Sequence, residues 1–371
     1  MKIGILTLPL HTNYGGILQA YALQTVLERM GHEVVVIDTP NVKPNPSLFT
    51  LSKRVVKRLL GKRVGVFSER YHNTTYPIIS QYTQPFIDKY IHRKVVNSPE
   101  ELQESDFDAI VVGSDQIWRP KYYGKIENAY LAFAKGWHIK RIAYAASFGT
   151  DEWEYTEEQT KECGELLKKF DTVSVREASG VQLCKEHFGV EAKHVLDPTM
   201  LLTKEDYIRL IEAAGTPKSK GSLLNYILDE TPEKCALIEK IAKGKNLKPF
   251  RVNSRVEDHT APLEERIQPP VEQWLRGFYD AEFVVTDSFH ACVFSILFGK
   301  PFIVVGNKVR GMARFESLLK MCGLEDRLIL NINEYKEQKF IRSTNSELEK
   351  KCRLSYSILV CKCNNEEWSV L

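Results

Sequence analysis

Apolar residues near the start of the chain follow two different periods. Residues 3–8 form a short, almost wholly apolar run that predicts a buried strand, whereas apolar residues in 17–30 recur at helical spacing. Gly31 then ends the predicted helix, and residues 33–38 form a second apolar run. Strand, helix and strand in this order predict a βαβ unit, and therefore an α/β protein with a parallel sheet covered on both faces.

The alternation of strands and helices continues after one interruption. Residues 40–100 hold several prolines and a basic amphipathic stretch but few strand-like runs. Alternating elements are predicted again over residues 109–196, and a second series over residues 223–321. The chain is therefore expected to build two sheets rather than one.

The two series predict two Rossmann-like parallel-sheet domains that face a cleft, which is a favoured place for ligands. We expect an N-terminal domain over residues 1–205, including the irregular basic excursion at 40–100. The C-terminal Rossmann-like domain is expected over residues 206–335. Residues 336–371 are expected to form a C-terminal helical segment that can pack back on the N-terminal domain.

Composition narrows the class of protein. Apolar residues make up 43% and charged residues 27%, and 51 Lys and Arg against 48 Asp and Glu leave a net charge of only +3. This balance gives no reason to expect nucleic acid as the partner. The eight cysteines contain no CxxC pair and are too few for a disulfide framework, so we expect reduced thiols in a cytosolic protein and no metal site.

Residues 3–27 contain no Asp, Glu, Lys or Arg, and this uncharged stretch is long enough to span a bilayer. The middle of this stretch is polar and glycine-containing, and the parts of a signal peptide are missing. It therefore predicts a strand, a loop and a helix, and we expect a soluble, cytoplasmic protein.

The loop after the first predicted strand is the first candidate site. It includes Asn13, Gly15 and Gly16 and lies where open α/β sheets bind ligands. The two glycines allow a close approach of the backbone, and the helix N-terminus can offer N–H groups to an anion. A plain tight turn explains the same residues, and the spacing matches neither usual nucleotide-binding motif.

A second candidate site follows the strand at residues 109–112. Ser114, Asp115 and Gln116 suit the hydroxyl groups of a sugar, and the face of Trp118 suits the apolar face of a sugar ring. The alternative is an N-capped helix start with Trp118 in the core.

Two further candidates carry charge. Arg176, between a strand and a helix, can hold a carboxylate or phosphate with two hydrogen bonds, or can form a salt bridge with Glu177 or with a neighbouring residue. Asp287 or Ser288 can cap the apolar helix that follows, which places His290 in its first turn, near an anion-attracting helix N-terminus. The alternative for His290 is a hydrogen-bonded histidine inside the core.

Two groups of Lys and Arg residues can each be explained in two ways. Lys308, Arg310 and Arg314 follow the last strand of the second series, where they can bind phosphate or simply be solvated. Basic pairs between residues 53 and 63 leave apolar residues on the other side of a predicted helix. That helix can lie on a membrane surface, although docking on its own domain is the expectation.

Seven short segments of the chain, taken in order, resemble the motifs of the polysaccharide pyruvyl transferase family. The matching segments are residues 13–16 with Gln19, 113–118, 146–149, 174–177, 196–198, 286–290 and 299–301. The resemblance runs from about residue 10 to residue 315, which is most of the chain. None of the segments is specific alone, but the ordered set is.

The resemblance implies a fold like that of the GT-B glycosyltransferases, with the active site between the domains. It implies transfer of the enolpyruvyl unit of phosphoenolpyruvate to two hydroxyls of a sugar, which gives a cyclic pyruvate ketal and releases phosphate. Phosphoenolpyruvate is then a donor substrate and no cofactor is expected. The acceptor is expected in a bacterial surface glycan such as an exopolysaccharide, lipid-linked or not, and the enzyme at the inner face of the membrane.

By match to the family's motifs, His290 takes the place of the catalytic histidine and Arg176 that of the arginine that binds phosphoenolpyruvate. Some branches carry an arginine between the serine and the histidine, where this chain has Phe289. Ser288 and Phe289 are expected beside the donor, and Arg310 or Arg314 can supply the missing cation. His290 as imidazolium is then the general acid that protonates C3 of the donor.

The acceptor is expected to bind at the loops after the first strand and after the strand at residues 109–112. The expected contact residues are Asn13, Gly15, Gly16, Ser114, Asp115, Gln116 and Trp118. Asp115 and His11 are the two candidates for the base that takes the sugar proton. A glycosyltransferase that uses a nucleotide sugar is the alternative enzyme, with Glu282 or Asp287 as the acidic residue for the ribose. A carbohydrate-binding protein without activity is disfavoured because both Arg176 and His290 are present.

Overall fold

The computed structural model of the protein describes residues 1–40, 42–62, 64–306, 311–335, 350–352, 354–357 and 359. Within these ranges the chain forms two sheets, and every strand pairing in both is parallel. The expected architecture of two Rossmann-like parallel-sheet domains is confirmed.

The first sheet has the strand order β3-β2-β1-β4-β5-β6-β7. Its strands are β1 (Lys2–Leu6), β2 (Glu33–Asp38), β3 (Arg93–Val95), β4 (Ala109–Val112), β5 (Lys140–Ala146), β6 (Thr172–Val175) and β7 (Lys193–His194). The α-helices of this part of the chain are α1 (Tyr14–Arg29), α2 (Leu48–Leu59), α3 (Ser68–Ile79), α4 (Gln84–Tyr90), α5 (Glu157–Leu167) and α6 (Ala178–Leu183). The predicted interruption at 40–100 therefore consists largely of helices α2 to α4.

The second sheet has the strand order β12-β11-β10-β8-β9. Its strands are β8 (Leu223–Tyr226), β9 (Pro249–Phe250), β10 (Phe283–Thr286), β11 (Phe302–Val305) and β12 (Leu328–Ile329). The helices around it are α7 (Lys204–Ala213), α8 (Pro232–Lys245), α9 (Val271–Asp280), α10 (Phe289–Leu297) and α11 (Ala313–Cys322). The boundary predicted between residues 205 and 206 falls inside α7.

The strand orders show where ligands should bind. In the first sheet the direction of winding reverses between β1 and β4, and in the second between β8 and β10. Loops at the carboxyl ends of strands leave a crevice at such a reversal. The loops after β1, β4, β8 and β10 are therefore the places where each sheet offers a site.

One continuous hydrophobic core joins the two sheets, and a further core covers the outer face of each. In the joining core, Tyr14 of α1 stacks on Trp274 of α9 with 5.3 Å between ring centroids. The Tyr14 hydroxyl donates to the carbonyl of Pro269 at 2.7 Å. Tyr207 of α7 packs edge-on against Phe294 of α10 at 4.8 Å. These contacts hold the two sheets in one orientation across the cleft.

Local sequence signals account for the ends of several helices. Thr156 and Gln159 form a reciprocal capping box at the start of α5, and Thr203 and Asp206 form one at α7. Among the described residues, no helix is long and apolar enough to cross a membrane.

The described part of the C-terminal segment lies against the first domain. The Ser355 hydroxyl accepts the backbone N–H of Leu196 at 3.0 Å, and the Cys352 thiol donates to the carbonyl of Met200 at 3.3 Å. The remainder of the predicted helical segment lies outside the described residues.

Candidate active site

A cleft of about 1160 Å³ lies at the carboxyl ends of both sheets. Loops that follow β1, β4, β8, β9 and β10 line it, together with α3 and the start of α11. It therefore includes both points at which the winding of a sheet reverses.

His290 lies in this cleft, in the first turn of α10, and is only 7% exposed. The helix begins at Phe289, and Ser288 occupies the N-cap position as the sequence suggested. The Ser288 side chain, however, makes no capping hydrogen bond. Because the first N–H groups of a helix have no intrahelical partner, α10 presents an uncapped, partially positive end beside His290.

Asp287 does not cap α10 either. Its carboxylate accepts the backbone N–H groups of Leu228 and Asp229 at 2.7 and 3.1 Å and the ammonium group of Lys234 at 2.7 Å. These bonds tie the end of β10 to the loop after β8. Asp287 therefore holds the C-terminal loops together, and its oxygens are occupied.

Asp197, for which sequence reasoning assigned no role, is the centre of the polar network behind His290. One carboxylate oxygen, Oδ2, accepts from Arg176 Nη1 at 2.7 Å and from the Ser114 hydroxyl at 3.1 Å. The same oxygen lies 3.6 Å from Nε2 of His290. The other oxygen accepts the backbone N–H and the hydroxyl of Thr199. Asp197 thus joins a histidine of the second domain to an arginine of the first.

The Asp197 carboxyl is completely buried, which by itself would raise its pKa. His290 and Arg176 outweigh this burial and hold the pKa well below its usual range. Asp197 is therefore ionised at neutral pH and places a negative charge opposite the imidazole of His290. A signal for it existed in the sequence, since Asp197 follows a short strand at the predicted carboxyl edge.

Arg176 lies one layer behind the cleft surface and is 3% exposed. Burial lowers its pKa, but Asp197, Asp115 and Glu177 together raise it above the usual value. Its guanidinium carbon sits 4.6 Å from the centroid of the Phe289 ring, which lines the cleft. In this structure Arg176 supports Asp197 and Phe289 rather than facing the cavity.

The alternative salt bridge between Arg176 and Glu177 is not what the structure shows. One oxygen of Glu177 accepts the backbone N–H groups of Phe148 and Gly149 at 2.7 and 3.1 Å and the hydroxyl of Ser147 at 3.0 Å. Glu177 therefore organises the loop after β5, and Arg176 takes Asp197 as its partner instead.

Arg314 is the predicted cation that the structure places in the lining of the cleft. Its guanidinium carbon lies 5.5 Å from the Phe289 ring centroid. Burial and the neighbouring Arg176 lower the pKa of Arg314 to about 10. An anion bound at this point would be favoured by both guanidinium groups. Lys308 and Arg310, the other predicted cations, lie outside the described residues.

The loop after β1 differs from the prediction in one respect. The Asn13 side chain accepts the backbone N–H groups of Gly15 and Gly16 at 3.1 and 3.3 Å, so the N-terminus of α1 is capped from within the chain. The helix end left for an anion is therefore that of α10. Gly15 has another role, because a Cβ built on it would lie 1.9 Å from Nδ1 of His290.

Some side chains of the loop after β4 line the cleft and others are buried in the interior. Asp115 and Gln116 line the cleft, as expected of residues that bind hydroxyl groups. Ser114 is fully buried, and its hydroxyl donates to Asp197. Trp118 is also fully buried, stacked on Tyr130 at 4.9 Å, with its indole N–H donated to the carbonyl of Ala129 at 3.1 Å. The assignment of Ser114 and Trp118 to acceptor contacts is thus corrected, and Trp118 is a core residue.

His11 and Asp115, the two candidate bases, differ in the atoms they have available. Burial lowers the pKa of His11, although Asp115 and Asp38 oppose the shift, so its ring is neutral at neutral pH. Its Nδ1 accepts the backbone N–H of Thr12 at 2.7 Å. A neutral imidazole has one acceptor nitrogen, so His11 has none left for a substrate proton. Asp115 also lines the cleft and, as a carboxylate, has two acceptor oxygens.

Part of the cleft wall is formed by residues that the sequence analysis did not identify. Tyr71, His72 and Tyr76 of α3 line it, as do Arg251 and Arg266 from the segment after β9. These residues come from stretches without strong periodicity, so no pattern marked them in advance. Among the described residues, no group of three or more His, Cys, Asp or Glu side chains is placed to hold a metal ion.

The chain is similar to one family in sequence and to several proteins in fold. Residues 13–309 match the sequence model of a family described as polysaccharide pyruvyl transferase. A search of the curated proteins gave no match. Among solved structures, a glycosyltransferase from Rickettsia africae ESF-5 has a TM-score of 0.46 at 12% identity, over 98% of this chain and 96% of that chain. A UDP-GlcNAc 2-epimerase from Neisseria meningitidis has a TM-score of 0.47 at 12% identity, over 99% of this chain and 95% of that chain.

The contact between Gly15 and His290 predicts unequal effects at two adjacent glycines. Gly15→Ala should lower the free energy of unfolding by about 1–3 kcal/mol, because the new methyl group meets a buried ring. Gly16→Ala is the matched control, since the nearest atom to its Cβ is a carboxylate oxygen of Asp115 at 3.4 Å. Urea denaturation measures both, and equal stabilities would contradict the packing of His290 on Gly15.

The buried charge on Asp197 predicts that its removal lowers the stability of the protein and that this loss depends on pH. Asp197→Asn should lower the free energy of unfolding at pH 7 by about 3–5 kcal/mol, because Arg176 loses its charge partner. Since the folded-state pKa is depressed, the carboxylate stabilises the protein above its ordinary value of 3.8 and progressively less as pH falls below it.

The difference in stability between wild type and Asp197→Asn should therefore narrow as the pH is lowered towards acid. Denaturation at a series of pH values measures this difference. The exposed Asp151→Asn variant is the control and should stay within about 0.5 kcal/mol of wild type. A difference that is constant at every pH would show that folding does not depress the pKa of Asp197.

Proposed function

The chain belongs to the polysaccharide pyruvyl transferase family, and from this premise we propose the donor, the acceptor chemistry and the roles of the cleft residues. The donor is phosphoenolpyruvate, and the acceptor is a sugar of a polysaccharide or of its precursor. Two sugar hydroxyls add to C2 of the donor, which yields a cyclic pyruvate ketal and phosphate.

The observation that carries this proposal is the uncapped N-terminus of α10, whose first residues line the cleft together with Arg314. A helix N-terminus binds phosphate through its first N–H groups and its dipole. Arg314 adds a cation whose pKa is lowered by burial and by Arg176, so a bound anion relieves an unfavourable charge. A donor with two anionic groups, the carboxylate and the phosphate of phosphoenolpyruvate, suits this end of the cleft.

His290 is the proposed general acid. C2 of the enol ester becomes electrophilic only when C3 accepts a proton, so a protonated group must lie next to the donor. The ionised carboxylate of Asp197, 3.6 Å from Nε2, orients the imidazole and balances the charge of its protonated form. Asp197 and Arg176 are positioning residues in this scheme, since neither lines the cleft.

The atoms balance over two additions. The first hydroxyl adds to C2 while C3 takes a proton, which turns the methylene group into a methyl group. The bond between C2 and the phosphate oxygen then breaks and phosphate leaves. The second hydroxyl adds to C2 and closes the ketal, and its proton goes with the phosphate. Asp115, with Oδ1 bonded to the Gln116 N–H at 2.9 Å, has Oδ2 to accept a hydroxyl proton.

The wider part of the cleft is proposed to hold the acceptor. Its volume of about 1160 Å³ is more than a molecule as small as phosphoenolpyruvate needs. Gln116 and Asn13 offer amide groups to sugar hydroxyls, and Tyr71 and Tyr76 of α3 offer aromatic faces in the same cleft. These tyrosines take over the stacking role that the sequence suggested for Trp118.

A nucleotide sugar as donor is less favoured. The two acidic residues considered for binding a ribose do not suit it, because Glu282 is exposed outside the cleft lining and Asp287 is committed to three hydrogen bonds.

Phosphoenolpyruvate alone should raise the Tm of the protein. Ligand at about 100 times its Kd stabilises by about 2.7 kcal/mol, which is a shift of a few degrees for a chain of this size. Arg314→Gln should remove most of the shift, measured against the variant's own unliganded Tm. Arg251→Gln, on another part of the cleft wall, is the matched control and should keep it. A shift with nucleotide sugars but none with phosphoenolpyruvate would overturn the donor assignment.

His290→Gln should abolish turnover and keep binding. Loss of a general acid lowers kcat by about 10²–10⁴-fold, whereas the shift in Tm with phosphoenolpyruvate should persist. Phosphate release in the presence of a sugar acceptor measures the rate. His72→Gln removes another histidine of the cleft and should stay near wild type. A His290→Gln variant with a wild-type rate would show that the proton comes from elsewhere.

A further inference from the structure

Helix α2 turns its apolar side to solvent. No residue of the helix is buried, and Leu48 and Leu59 are 85% and 81% exposed. Phe49 and Leu60 are 67% and 72% exposed, and Val55 and Val56 are also exposed. These residues, 48, 49, 55, 56, 59 and 60, are called the apolar face of α2 below. A surface helix of a globular protein normally buries such a face.

The helix is held to the domain by a charged side chain instead. The Arg54 guanidinium donates to both carboxylate oxygens of Glu69, at 2.7 Å each, and to the carbonyl of Val66 at 3.4 Å. Thr50, Leu51 and Arg54 are the half-buried residues of α2. The sequence-based expectation was a helix docked on its own domain with its charges in water. Most of the charges are in water, but the contact with the domain is made by Arg54 and the apolar residues are exposed.

Cations surround the apolar face. Residues 39–68 contain seven Lys and Arg residues and no Asp or Glu, although the whole chain carries a net charge of only +3. Lys53, Lys57, Arg58 and Lys62 are exposed. The ammonium group of Lys53 lies 4.1 Å from the centroid of the Phe49 ring, so positive charge sits directly beside the apolar surface.

We propose that α2 binds the surface of a lipid bilayer that contains anionic lipids. An amphipathic helix with cations beside a large apolar face lies in the interface, with its apolar side chains among the acyl chains and its cations at the headgroups. The charge pattern favours this partner over a second copy of the chain, because two such faces would bring like charges together.

The position of α2 links this surface to the cleft. Glu69, the partner of Arg54, lies in the first turn of α3, and Tyr71 and His72 of the same helix line the cleft. A bilayer bound to α2 would therefore lie next to the α3 wall of the cleft. Membrane binding does not depend on the proposed function. That the acceptor reaches the cleft from a lipid carrier follows only if the proposed function holds.

The test is sedimentation of the full chain with vesicles, without donor or sugar. Vesicles of phosphatidylcholine with phosphatidylglycerol should bind the protein at least tenfold more tightly than phosphatidylcholine alone. Raising the salt to about 1 M, where the Debye length is about 3 Å, should weaken binding to the anionic vesicles. Binding to neither kind of vesicle at low salt overturns the proposal and leaves the proposed function untouched.

Matched variants separate the apolar and charged contributions. The double variant L48S/L59S should lose at least tenfold in vesicle affinity, whereas L330S, which alters a 61% exposed leucine elsewhere, should not. K53Q/K57Q should weaken binding and reduce its salt dependence, and K161Q/K243Q is its charge-matched control. An unchanged Tm verifies folding, since all of these side chains are exposed.

The remaining outcomes contradict the proposal. Vesicle binding that L48S/L59S and K53Q/K57Q leave unchanged would place the membrane contact elsewhere. A wild-type oligomer that L48S/L59S converts to a monomer, without vesicle binding by either, would assign the apolar face to a second copy. Light scattering of the same samples measures the oligomeric state.

Discussion

The buried carboxylate of Asp197 is the group on which the site depends. It follows the last strand of the first sheet, yet it faces His290 at the start of a helix of the second. Removing one partner from a buried, charged network leaves the others uncompensated, so such a network specifies one arrangement of the two domains. The carboxylate that is proposed to orient the histidine therefore also lies where the two walls of the cleft meet.

The two helix ends at the cleft have different roles because one is capped and the other is not. Asn13 accepts hydrogen bonds from the first N–H groups of α1, so this helix end is already capped. Its Gly15 packs against the imidazole of His290. Ser288 leaves the end of α10 uncapped. The proposed function uses this asymmetry: it places the anionic donor on the C-terminal side and the hydroxyl-bearing acceptor nearer the loop that holds Asp115.

Charge in the site is arranged in layers. Arg176 and Asp197 form an inner pair with almost no exposure, and Phe289 separates Arg176 from the cavity. Arg314 and His290 form the outer layer that a ligand can reach. An inner pair that is already neutralised provides a fixed field, whereas the outer Arg314 guanidinium gains more from a bound anion. In the proposed function Arg314 therefore binds the donor and Arg176 is a positioning residue, although the sequence marked Arg176 more strongly.

The sequence by itself determined the α/β class, the two series of strands and helices, and the loops that carry the site, because hydrophobic period and glycine position are local properties. It also singled out His290, which lies between two apolar runs. Only the tertiary structure decided which polar side chains of those loops face the cleft. Trp118 and Ser114 turn inward and Asp115 turns outward, although all three lie within five residues. Asp197 could not be given a role, and the apolar face of α2 could not be placed. Each depends on contacts between residues distant in the chain, which no local pattern records.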